Sequence, residues 1–535
     1  MARAASPDAA VVRAPRAGLS MVSPGNPDVA QDAASDPSDT RSARIARRLS
    51  SIVSPVSTFK KLWRSNSTDK NEDAVSMTED VALVAADPMP MSPDEEAAGG
   101  EKNINTGGDI YANANDPEAA KYKSCNWWNA GFLMVAETIS LGILSLPAAI
   151  AKIGLVPGII ALILLGLLAT WGGLVIGQWK RTYMHTMSFA DVGHTMGGKW
   201  LGRLFGGAAI LSFIFICAAH VLTFSVMMNV LTDHGTCSIV FGLIGTIVSI
   251  FLSLPRTSKD ISWISVGAFA SILSAVVLVM ISLGITKPGG INVTLIKDNV
   301  ELAPAFIGVL NMMLAYAGNA AFFNFVTELK EPKDFWKSLV MLQSIAISIY
   351  ITVGVVIYYY VGADVKSPAL TSAAPTIRKI AYGIAIPTIV VAGVINGHVA
   401  AKQIFTTIWI KRGQPQQCYL NTTKSWMTWI GVLVVLWTVS WVLAEAIPIF
   451  EQLLGLVSAL FMSWFTYGLC GIMWIYMNKG QLTTNWKQCA LFALNILMIV
   501  VGAGSCGLGL YATGWELAKN GASGKPFSCA DNSVH

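Results

Sequence analysis

Charge is what this chain lacks. Only 13% of its 535 residues are Asp, Glu, Lys or Arg, against 53% hydrophobic, whereas ordinary soluble domains carry about 25% charged residues. The shortage is concentrated: residues 1–126 hold 14 of the 37 basic and 18 of the 32 acidic groups, leaving 23 and 14 for the 409 residues that follow. So little charge cannot cover a water-soluble globule of that size, which excludes a soluble multidomain enzyme and makes the chain a polytopic membrane protein. A net charge of +5 gives no argument for nucleic acid in such a chain, and none is expected as a partner. The eight cysteines include no Cys-x-x-Cys pair, against a metal framework or a redox centre. No G-x-x-x-x-G-K-[ST], no G-x-G-x-x-G opening a soluble helix and no H-E-x-x-H occurs, so nucleotide-driven pumping has no site. No cofactor or metal is expected. A cleavable signal peptide is not expected either, since residues 1–20 contain no apolar run.

Three regions follow from composition. Residues 1–120 are rich in Ala, Ser, Pro and Asp and read as a disordered cytoplasmic tail. A basic stretch at 44–64, RIARRLSSIVSPVSTFKKLWR, suits an anionic inner leaflet, with Ser50 after Arg47-Arg48-Leu49 a phosphorylation candidate; a solvated linker is the alternative. Residues 124–515 form the membrane domain, and 516–535 an extracellular tail. A helix needs about 20 residues to cross the bilayer core, and eleven apolar segments qualify: 127–150, 154–178, 204–231, 238–255, 263–285, 304–327, 337–361, 381–409, 425–446, 450–477 and 488–513. Pro448 splits an apolar stretch otherwise too long for one crossing. With the N-terminus inside, the cytoplasmic ends and loops hold fifteen Lys and Arg, from Lys180 to Lys487, and the outer ones eight, as the positive-inside rule requires. Asn292-Val293-Thr294 then lies outside as a glycosylation candidate. Cys237 and Cys529 are the cysteines placed outside, where an oxidising exterior would join them; two free thiols are the alternative.

Two segments carry polar and helix-breaking residues at mid-membrane depth. The first reads Glu137-Thr138-Ile139-Ser140-Leu141-Gly142-Ile143-Leu144-Ser145-Leu146-Pro147, and the sixth Ala315-Tyr316-Ala317-Gly318-Asn319-Ala320. They occupy matching places in two five-helix repeats, the pattern that points to a transporter site at the bilayer midplane. Unwound backbone in hydrocarbon leaves amides and carbonyls that cost several kcal/mol each unless satisfied. A zwitterion satisfies both: amides near Leu141, Gly142 and Ile143 suit a carboxylate, while carbonyls near Leu314, Ala315 and Ala317 suit an ammonium. Asn319 is placed to add a hydrogen bond. The alternative is that these glycines and serines only permit close helix packing.

Ionisable groups inside the spans are few, and each is a functional candidate by default. Glu137 is the only acid of the first segment; His398 and Lys402 lie four apart on the eighth. Glu137, His398 and Lys402 are the candidates for carrying a coupling proton. Lys402 also suits snorkelling to the inner interface, and His220 of the third segment suits a satisfied core histidine. An ion pair of Glu137 with Lys402 or His398 that merely holds the bundle is a further reading.

The segments AETISLGILSLPAAI (136–150), SFADVGHTMGGKWLG (188–202), LSLPRTSKDISWIS (252–265), AYAGNAAFFNFVTELKEPKDF (315–335) and IPIFEQLLGLVSAL (447–460) resemble the amino acid/auxin permease family, most closely its fungal neutral-amino-acid branch. The resemblance covers roughly residues 124–515. It implies an all-α membrane fold of eleven helices, a 5+5 inverted repeat with helices 1 and 6 broken plus an eleventh. It also implies proton-driven uptake of neutral amino acids, aliphatic and aromatic, bound at Ser140–Ile143 and Ala315–Asn319. Animal relatives that use sodium bind it partly through hydroxyls in helix 8; residues 395–402 here contain none before Thr406, which favours protons. Tyr316, Phe322 and Phe323 are candidates for the side-chain pocket.

The leading expectation is therefore a plasma-membrane proton symporter for neutral amino acids working by alternating access. A vacuolar exporter of the same family and an amino acid sensor that does not transport are the alternatives. A membrane transferase would need a polar cluster at the interface, for which Asp191 with His194 is the candidate; an amphipathic connector explains those two residues better.

Overall fold

The computed structural model describes residues 125–256, 261–288, 293–418, 420–520 and 526–532. The tail over 1–120, its basic stretch and Asn292 lie outside the described residues. In chain order the elements are α1 Trp127–Thr138, α2 Gly142–Ile153, α3 Leu155–Thr182, α4 Phe189–Thr232, α5 Ser238–Leu252, α6 Ile261–Thr286 and α7 Leu302–Ala315. A 3-10 turn, Ala317–Ala321, leads into α8 Phe322–Glu328, then α9 Phe335–Val361, α10 Pro375–Lys411 and α11 Thr423–Ala446. After α12 Phe450–Val457 the chain winds as a π-helix over Ser458–Gly468, continues as α13 Leu469–Met477 and ends in α14 Trp486–Asn520. Among the described residues the fold is all-helical apart from one isolated bridge, Cys125 to Leu329.

Among the described residues eight helical runs are long and apolar enough to cross a bilayer, and ten if each bent pair, α1–α2 at 55° and α7–α8 at 42°, counts as one crossing. The expected eleventh crossing is not confirmed by this count. The difference is α5: 15 residues at 1.5 Å each fall short of the about 30 Å hydrocarbon core. Pro255, three residues beyond its end, discourages further helix. The third segment also differs, since α4 begins at Phe189 and absorbs the preceding connector, kinking at Gly197 and at Gly198, whose φ is +73°. Only glycine adopts that φ without strain. The split at Pro448 falls where expected, between α11 and α12.

The surface fits lipid rather than water. On α3, Ile160, Leu164 and Leu167 recur at helical spacing and are about half exposed, an outward apolar stripe. The same helix turns Gly166, Gly173 and Gly177 against Ile347, Leu339 and Phe335 of α9, where the missing side chains let two helices approach closely. α4 packs on α5, α10 and α11, and α6 on α10; α2 packs on α7 and α9. Cys237 and Cys529 are bonded, S–S 2.04 Å. Beside that bond Asn229 Nδ2 donates to Asn532 Oδ1 at 2.7 Å and Ser238 Oγ to the Ala530 carbonyl at 2.6 Å.

Candidate functional site

The two bends are places where the α-helical hydrogen-bond pattern is interrupted. Helix α1 ends at Thr138, and α2 restarts at Gly142. Among the described residues no partner takes the amides of Leu141, Gly142 and Ile143, the free donors that open any helix. In the second bend α7 ends at Ala315 and the chain tightens into the 3-10 turn. The carbonyls at the two ends share one donor: the Tyr350 hydroxyl of α9 lies 2.7 Å from the Ala315 oxygen and 3.2 Å from the Thr138 oxygen.

A cavity opens beside both breaks, with room of about 50 Å³ for the centres of water-sized occupants. One water needs roughly 10–15 Å³ by that measure, so the space fits a small solute. From the first bend come Glu137, Thr138, Ser140, Leu141 and Gly142; from the second, Leu314, Ala317 and Gly318. α4 contributes Ile216, Ala219 and His220, α10 Asn396, and α12 Leu454 and Val457. The walls thus hold one carboxylate, one imidazole and one side-chain amide; neither Lys nor Arg lines them. His220 Nδ1 donates to the Ile389 carbonyl at 2.8 Å; a carbonyl only accepts, so Nε2 of the neutral ring is an acceptor.

Residues 123–514 match the family described as transmembrane amino acid transporter proteins. The chain belongs to that family, the amino acid/auxin permeases. It is a transporter and not an enzyme, and a multi-pass membrane protein. It is 36% identical to the N amino acid transport system protein of Neurospora crassa, over 83% of this chain and 96% of that protein. It is 28% identical to a transmembrane transporter of Gibberella moniliformis, over 82% and 94% of the two chains. It is also 24% identical to lysine histidine transporter-like 4 of Arabidopsis thaliana, over 71% and 88%.

Of the residues singled out from the transporter's sequence, Glu137, Ser140, Leu141, Gly142, Leu314, Ala317 and Gly318 stand together on the cavity. Ile143 and Ala315 are buried beside it and do not line it. Asn319 turns away: its Nδ2 faces the carbonyls of Ala169 at 3.4 Å and Thr466 at 3.3 Å. His398 and Lys402 are not in the lining; His398 Nε2 bonds the Pro255 carbonyl at 2.9 Å and its ring stands edge-on to Trp429. The aromatic candidates face the protein interior instead: Tyr316 against Tyr350, Phe322 against Phe335, and Phe323 against Phe189. Asp191 holds the start of α4, accepting from the Met187 amide at 2.9 Å and the Ser188 hydroxyl at 3.1 Å. Sequence reasoning passed over Tyr350, Asn396 and the apolar walls from α4 and α12. Asn396, a polar residue within the apolar α10, carried a visible signal; Tyr350 did not.

Proposed function

We propose that this amino acid transporter imports neutral amino acids, aliphatic and aromatic, by proton symport across the plasma membrane. One observation carries the reading: unpartnered amides and a lone carboxylate meet at the same small cavity. The substrate carboxylate sits at the α2 N-terminus, where free N–H groups and the helix dipole favour an anion. Its ammonium faces Glu137 and the carbonyls of Leu314 and Ala317, and its side chain lies against Ile216, Ala219, Leu454 and Val457. An apolar wall without a second charged group suits a neutral side chain.

Coupling is assigned to Glu137, the member of the set Glu137, His398 and Lys402 that lines the cavity. A proton moving down about 100 mV releases ~2.3 kcal/mol, enough for about fifty-fold accumulation before any pH gradient is added. The motion is alternating access around a fixed site. Within it α1–α2 through α6 form one repeat, α7–α8 through the α12–α13 run the second, and α14 the eleventh crossing, with a cytoplasmic N-terminus.

Uptake of a panel of amino acids into proteoliposomes, under separately imposed proton and sodium gradients, tests this. Accumulation of leucine or phenylalanine with a proton gradient alone is expected. Accumulation that needs sodium, or is confined to charged amino acids, would replace the reading.

A further inference from the structure

Tyr350 is fully buried on α9 and does not line the cavity, yet it touches both broken helices behind it. Thr138 and Ala315 are the last helical residues before the two breaks. A phenol has one hydrogen, and here two carbonyls compete for it, at 2.7 Å and 3.2 Å. The Thr138 oxygen also receives the Ser140 amide at 3.1 Å. Among the described residues no other donor reaches the Ala315 oxygen. The ring has little freedom to leave, since it stands edge-on to Tyr316 with centroids 5.2 Å apart.

We infer that Tyr350 is a positioning residue that holds the two breaks together when the transporter is empty, by giving its single hydrogen to the carbonyls of Ala315 and Thr138. The inference rests on the proposed reading that a substrate ammonium docks at these breaks. A bound ammonium brings three donors that link Glu137 of the first break to the Leu314 and Ala317 carbonyls of the second, a second tie between the same two breaks. The hydroxyl therefore matters least in the loaded protein and most in the empty one, which must reorient unaided to complete each cycle of net uptake. Exchange, in which the transporter returns loaded, bypasses that step.

The test is Tyr350→Phe, which keeps the ring and removes the hydroxyl, in proteoliposomes assayed for net uptake and for exchange against preloaded substrate. Net uptake falls at least about tenfold while exchange stays within about threefold, and substrate raises the thermal midpoint more in the variant than in the wild type. 4-Aminophenylalanine at position 350 returns a donor, and net uptake recovers with it. Equal loss of both activities, retention of both, or no recovery with the amino side chain overturns the inference. A wild-type protein that accumulates no neutral amino acid instead overturns the proposed function, so the two failures are told apart.

Discussion

A Cβ placed on Gly142 would stand 2.7 Å from the Cα of Ala315. Gly142 is the first residue of helix after the first break, and Ala315 the last before the second. The contact has a mirror: a Cβ on Gly318, just after the second break, would strike the Thr138 hydroxyl, on the last residue before the first. Each break therefore uses a glycine to admit the end of the other broken helix. Reciprocal contacts of this kind are what a twofold relation between two elements produces, and they support the paired repeat.

Gly142→Val and Gly318→Val are expected to abolish uptake, by at least about tenfold, while the protein still reaches the membrane. No flexible side chain can yield to a branched residue at Gly142, because the obstacle there is backbone. The two sites differ in rescue. Thr138→Ala removes the obstacle facing Gly318 and restores part of the activity of Gly318→Ala, a coupling expected only for residues in contact. Normal uptake in both valine variants would show that the breaks are not where transport occurs.

Glu137→Gln keeps the shape of the only carboxylate on the cavity and removes its proton exchange. Accumulation driven by an imposed pH gradient is expected to collapse toward the equilibrium ratio, while substrate exchange persists. An unchanged response to pH would take Glu137 out of the coupling role.

Ala219→Leu adds three carbons to the apolar wall. A change of that size in a pocket shifts discrimination by roughly 1–3 kcal/mol, so the uptake ratio of glycine or alanine to phenylalanine rises about tenfold or more. Competition assays across side-chain size measure it; equal loss for every substrate would mean that Ala219 only packs.

Lys152 at the end of α2 pairs with Glu451 at the start of α12, and the Asn311 amide lies 3.4 Å from the same carboxylate. Leu454, one turn on from Glu451, lines the cavity. Lys152→Met leaves a largely buried carboxylate without its cation, so the thermal midpoint and the uptake rate both fall. The exchanged pair Lys152→Glu with Glu451→Lys recovers most of both, as a through-space ion pair requires. Failure of the exchanged pair while each single variant remains folded would refute an ionic role.

The disulfide closes a separation of 292 residues and ties the chain beyond α14 to the start of α5. Peptide mapping without reductant should recover the Cys237–Cys529 peptide. Cys237→Ser should lower the thermal midpoint, since cross-links typically contribute about 2–5 kcal/mol. Free thiols at both positions in the purified protein would contradict the pairing.

Much of this was legible before any tertiary information. Hydropathy placed the apolar segments because a bilayer demands about 20 apolar residues per crossing. The segment expected over 238–255 forms the shorter α5, which ends at Leu252 ahead of Pro255. Glycine and polar residues at mid-depth marked both breaks, because unwound backbone in lipid has few uses other than binding. The identities of the cavity's other walls were not legible. Ile216, Ala219 and His220 lie some eighty residues from the first break in sequence, and nothing in their local pattern separates a wall from ordinary core.

The direction of individual side chains was decided only in three dimensions. Asn319 and the aromatics Tyr316, Phe322 and Phe323 sit within or just after the second break, yet they point at neighbouring helices rather than into the cavity. A 3-10 turn of five residues rotates each successive side chain by about a third of a circle, so adjacency in sequence says nothing about a shared face. Composition and breaks in helical pattern settled what kind of molecule this is and where two of its membrane helices are interrupted, because both depend on the solvent each residue meets. Which groups confront one another there, Gly142 with Ala315 and Tyr350 with two carbonyls, depends on packing between distant helices, and packing exists only once the chain is folded.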